Sequence, residues 1–147
     1  MIIKQTRIVN AAVLGAALIL AVPAVAQIMP APQTQNGIAF VTGGVGQERV
    51  EAFRQAASDY NLRATFTATG GAFMANVKVE LKDAQGKTLV TTTTQGPFFF
   101  AKVPPGTYDM TASYGDQTAQ RRLVVNPGGA ATTDVSFNVP VNVQPGK

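Results

Sequence analysis

Nucleophiles, general bases and metal ligands must be present before spacing matters, and most are missing from these 147 residues, which include no His, Cys or Trp. That lack excludes most transition-metal sites, thiol nucleophiles, disulfides and every Ser-His-Asp triad. Carboxylates remain. Glycoside chemistry would need two of them about 5–10 Å apart, whereas Asp83, Asp109, Asp116 and Asp134 fall at turns or on wet strand faces. Asp83 and Asp116 could help hold calcium, but no D-x-D-x-D-G loop surrounds either. Gly43-Gly44-Val45-Gly46 lacks the Lys-Ser/Thr of a phosphate loop and the GxGxxG spacing, so a tight strand-to-helix bend is its simpler use. Arg121 and Arg122, with Lys102 elsewhere, do not make one anion fork, because neighbouring strand residues face opposite ways. Thr91 to Thr94 reads as an edge strand of β-branched residues. No basic stripe with interleaved aromatics points to nucleic acid. The expectation is no enzyme, and no catalytic, cofactor or metal residues.

The elements that would position these groups begin after an address. Lys4 and Arg7 precede an apolar run from Ile8 to Val22, then come Pro23 and the small triplet Ala24-Val25-Ala26. This order predicts a signal peptide over residues 1–26, cleaved after Ala26. The run is short of the ~20 residues of a membrane span, and without Cys no lipid-modified cysteine can form. An exported protein follows, periplasmic or secreted and not membrane-anchored after cleavage. Losing Lys4 and Arg7 takes the formal charge from +4 to +2, a weak field for steering anionic partners. Residues 27–36, with prolines and glutamines, read as a disordered leader. Residues 37–140 read as the folded domain and 141–147 as a flexible tail.

Within that domain, Val50, Phe53, Ala57 and Tyr60 recur at helical spacing over Gln47 to Tyr60. Glu48 and Glu51 in its first half suit the helix dipole. Elsewhere the period is two. Val77, Val79 and Leu81 alternate with Lys78, Glu80 and Lys82; Val135, Phe137 and Val139 alternate with Asp134, Ser136 and Asn138. Turn residues at Asp83–Gly86, Pro104–Gly106, Gly115-Asp116 and Pro127–Gly129 separate about eight short strands, as in a β-sandwich. Short connections predict antiparallel order. The fold expected is mainly β, with one short helix near the N-terminus.

The stretch Val77 to Val125 resembles a carboxypeptidase regulatory-like domain, a transthyretin-like (prealbumin-like) Greek-key sandwich. The residues carrying the resemblance are Asp83 and Gly86, then Gly96, Phe98 and Phe100, then Pro104, Pro105, Gly106, Thr107 and Tyr108. They are turn and core positions. Pro105 suits the second place of a tight turn, Gly106 would tolerate positive φ in the third, and Tyr108 would point inward with its hydroxyl near the turn. Thr42 to Gly46 followed by a helix is similar to small exported bacterial proteins that carry this domain alone. Catalytic transthyretin-like relatives rely on histidines, which are missing here.

Phe99 departs from the Gly-x-Phe-x-Phe pattern, and its ring is expected on the face opposite Phe98 and Phe100. Left in water it would forgo about 2 kcal/mol of burial. Either the helix covers it with Phe53 and Tyr60, or these residues form a partner-binding patch. The resemblance speaks to fold more than to function; with the catalytic residue types missing, the function expected is a non-catalytic accessory or protein-interaction module, its partner a separate envelope protein. A carbohydrate-binding module is the alternative, with Tyr60, Tyr108 and Tyr114 the available platform residues. A small acid-dependent hydrolase ranks last.

Overall fold

The structure, a computed structural model, describes residues 28–139. The expected signal peptide, 1–26, and the expected tail, 141–147, therefore lie outside the described residues. Among the described residues nine strands and one α-helix occur in the order β1 (Gln33–Gln35), β2 (Ile38–Gly43), α1 (Gln47–Ala56), β3 (Leu62–Ala68), β4 (Lys78–Asp83), β5 (Thr88–Thr93), β6 (Phe98–Lys102), β7 (Gly106–Tyr114), β8 (Gln117–Val125) and β9 (Ala131–Phe137). A short 3₁₀ turn, Ala57–Asp59, extends α1. No helix among the described residues is long and apolar enough to cross a membrane.

The strands form a five-stranded sheet, β1-β2-β6-β3-β9, and a four-stranded sheet, β5-β4-β7-β8. Alternating residues of both sheets meet between them. Phe40, Phe66 and Phe99 from one side and Leu81, Val79 and Met110 from the other are fully or almost fully buried. The expected all-antiparallel order fails at one place, since β9 runs parallel to β3 from Leu62↔Ala131 to Ala68↔Phe137. A short connection enforces antiparallel pairing only when the next strand stays in the same sheet. Here Asn126 to Ala130 carries the chain from β8 in one sheet to β9 in the other.

The leader also needs correction: its residues 33–35 form β1, paired with β2 from Gln33↔Phe40 to Gln35↔Ile38. Asn36 and Gly37 make the two-residue turn, with φ of 48° and 77°. Asn-Gly accepts positive φ at both places and matches the strand twist. Once formed, this hairpin closes one side of the sandwich. The Gln35 carboxamide accepts from Thr91 N–H at 2.9 Å and donates to Thr91 C=O at 3.0 Å, while Asn36 donates to Leu89 C=O at 2.9 Å. On the far side Gln117 clamps the N–H and C=O of Asn138 in the same manner, at 2.8 and 2.9 Å.

The three consecutive phenylalanines invert the expected polarity of β6. Phe99, with 0% exposure, faces the inter-sheet core beside Phe40 at 5.9 Å between ring centroids. Phe98 and Phe100 take the outer face, where α1 covers them: Phe53 stacks on Phe98 at 5.4 Å and meets Phe100 edge-on at 5.4 Å. Adjacent residues do point to opposite faces. Because both faces are apolar, the parity of the sequence could not say which is which.

Glycine makes the helix-bearing layer possible. A Cβ on Gly44, whose φ is 103°, would stand 2.4 Å from Phe98 Cδ2; one on Gly96 would stand 2.3 Å from the Gly43 carbonyl carbon. The Gly43–Gly46 segment thus lets β2 turn into α1 while lying directly on β6.

Candidate functional site

The carboxylates singled out in the sequence are dispersed. Asp83 accepts from the N–H groups of Gln85 and Lys87 at 3.0 and 2.9 Å, closing the β4–β5 turn. Asp109 lies opposite Lys82 on one neighbouring strand and Arg122 on the other, with Arg122 Nε 3.1 Å away. Asp134 sits in the other sheet, opposite Thr65, and Asp116 lies in the β7–β8 turn. Among the described residues no group of three or more acidic side chains is placed to hold a metal ion. Thr91 and Thr93 of the threonine run are exposed on β5 at a sheet edge, Thr92 is half-buried, and Thr94 is buried, where its hydroxyl accepts from Val77 N–H at 3.0 Å.

The tyrosines do not form a platform. Tyr108 is buried between the sheets and donates to Pro104 C=O at 2.5 Å. Burial, then the nearby Asp83 carboxylate, raises its pKa above the usual tyrosine value. Tyr60 belongs to the helix-side cluster, with Lys102 Nζ 5.5 Å from its ring centre. Burial and then Asp59 raise its pKa too. Tyr114 is half-buried 6.1 Å from Phe137 at the opposite edge. The tight turn expected at Pro105-Gly106 is an open bend, with Gly106 near-extended at φ 159° as the first residue of β7. Of the candidates for partner contact, Phe99 and Phe53 are fully buried and Tyr60 is buried too.

A different surface is open. Beside α1 lies a groove of about 650 Å³. Its helix wall is the stripe Gln47, Val50, Glu51 and Arg54, spaced three and four apart so that all share one face. The β3–β4 loop lines it too, through Phe73 and Met74, together with Val45 of the segment before α1. Phe73 is 50% exposed and Val45 55%, yet the Phe73 ring leans on Phe98 at 5.6 Å. The ring is thus packed on one side and half exposed to water. Glu51 and Arg54 on the rim make no ion pair among the described residues.

Phe73 and Val45 escaped the sequence reading because neither belongs to a periodic run. The available signal was Phe73-Met74 shortly after Gly70-Gly71: bulky apolar residues in a segment too glycine-rich to be a core strand.

The profile of the carboxypeptidase regulatory-like domain matches residues 60–138, more than half of the chain. The chain belongs to that family. Its domain is a non-catalytic β-sandwich module. Among curated proteins none matches the chain. The family match begins at Tyr60, so β1, β2 and α1 lie outside it. Those three elements extend one sheet of the family domain and cover its outer face. The groove is the seam between the two parts, with Val45 and the α1 stripe on one side and Phe73, Met74 and Pro97 of the family domain on the other.

Proposed function

We propose that this protein is an exported, non-catalytic interaction module of the cell envelope, and that a separate envelope protein inserts an apolar side chain into the groove beside α1. The observation that carries the reading is the half-exposed Phe73 ring, packed against Phe98 at the seam. A few well-packed residues carry most of the binding energy at interfaces, and Phe is among the aromatic types enriched there. Glu51 and Arg54 at the rim supply polar contacts of either sign around that apolar centre. The scattered, inward tyrosines favour this reading over a sugar platform.

The test is crosslinking in intact cells, comparing the parent protein with Phe73→Asp and Val45→Asp. Both positions are exposed, so the unfolding midpoint should move by the equivalent of less than about 0.5 kcal/mol. Loss of specific crosslinked partners from both variants, with that midpoint kept, supports the groove. The same partners captured at parental yield would refute it.

A further inference from the structure

A sheet edge lies away from the groove, at β8. The sandwich has two unlike sides. On one, Gln35 and Asn36 occupy Thr91 and Leu89 of the edge strand β5. On the other, Gln117 side-chain bonds hold Asn138, but the nine-residue β8, paired with β7 along its whole length, has no further strand hydrogen-bonded to it among the described residues. Tyr114 and Gln117 flank the two-residue β7–β8 loop and exchange hydrogen bonds as the first pair of the ladder. Alternation then directs Gln117, Ala119, Arg121, Leu123 and Val125 toward β7. The N–H and C=O groups of Thr118, Gln120, Arg122 and Val124 therefore point outward.

Charge says what can pair there. Arg121 is the midpoint of β8 and shares the parity of the inward residues Ala119 and Leu123, yet it is exposed at the rim. Its guanidinium donates to the outward Gln120 carbonyl at 2.9 Å and meets no carboxylate among the described residues. A second copy adding in antiparallel full register would set Arg121 opposite its own counterpart, and like charges directly opposite destabilise a strand pair. Arg122 beside it is already engaged by Asp109.

We infer that β8 accepts an extended acidic segment of another protein as an added strand, with a carboxylate of that segment drawing the Arg121 guanidinium away from the Gln120 carbonyl. Main-chain hydrogen bonds would give affinity and the charge pair would set register and partner choice. This surface stands apart from the α1 groove, so either can fail alone.

The experiment is a titration of the isotope-labelled exported protein with a short, end-blocked peptide alternating valine and glutamate, followed by amide hydrogen exchange. Binding should slow exchange at Thr118, Gln120, Arg122 and Val124, and Arg121→Glu should weaken it roughly tenfold, since an attractive cross-strand pair becomes repulsive. Arg121→Lys should retain it. Equal binding of a valine–lysine peptide would overturn the inference, as would protection confined to the groove. Protection of the same amides on concentrating the protein alone would identify a second copy as the occupant and overturn it too.

Discussion

The two sheets differ in how many of their faces meet water. In the four-stranded sheet β4 alternates, with Val79 and Leu81 buried and Lys78 exposed. In the five-stranded sheet Phe98, Phe99, Phe100 and Ala101 of β6 are all buried, because α1 covers the face that the second sheet does not. Alternation records a wet face. Where there is none, hydrophobic pattern identifies a strand but not its orientation. The comparison also places two of the three exposed large apolar side chains among the described residues: Phe73 and Val45 lie where the cover over the five-stranded sheet stops short, whereas Val124 is on β8 of the other sheet.

Substitutions grade this contrast. Phe99→Asp should cost more than about 4 kcal/mol, because a carboxylate would sit unpaired between the sheets. Cooperative unfolding in urea, followed by far-ultraviolet circular dichroism, should be lost or displaced to very low denaturant. Phe53→Ala should cost about 3 kcal/mol through the cavity left over Phe98 and Phe100, with the β spectrum retained because the inter-sheet core is untouched. Survival of Phe99→Asp with collapse of Phe53→Ala would reverse the assignment of faces.

Smaller effects belong to single contacts. Tyr108→Phe removes the hydrogen bond to Pro104 C=O and should cost about 1 kcal/mol near neutral pH. The raised pKa of Tyr108 means that the unfolded chain releases this proton first. Stability is therefore whole below the ordinary tyrosine value of about 10 and falls as pH rises through and beyond it. The variant should show a shallower alkaline decline in its urea midpoint than the parent. Gln120→Thr on the wet face of the four-stranded sheet should stay within about 0.5 kcal/mol, and a larger loss would mean that this face is covered.

Much of the architecture was legible because half-buried strands advertise themselves. The alternation in β4 and β9 corresponds to observed strands, and of the helical run Val50 and Phe53 lie in α1 and Ala57 in the 3₁₀ turn, while Tyr60 is already extended past its end. Three things were hidden. Gln33–Gln35 carries no apolar pattern, and its strand exists through the Asn36-Gly37 turn and the Gln35 clamp on Thr91, which depends on residues far along the chain. The parallel β3–β9 pair depends on a change of sheet that loop length does not encode. The groove lies between a loop and a helix whose proximity is tertiary, so Phe73 could be seen as unusual in its segment but not as a wall.

The packing claim beneath all of this is that Phe99 lies between the sheets while Phe98 and Phe100 lie under α1, leaving Phe73 at the open margin. Proton–proton Overhauser contacts from selectively labelled phenylalanine rings, recorded with and without a soluble paramagnetic relaxant, test it directly. Phe99 should contact Phe40 and resist the relaxant, Phe98 and Phe100 should contact Phe53, and Phe73 should be strongly relaxed. Contacts from Phe99 to Phe53, or a Phe73 ring shielded in the isolated protein, would contradict it.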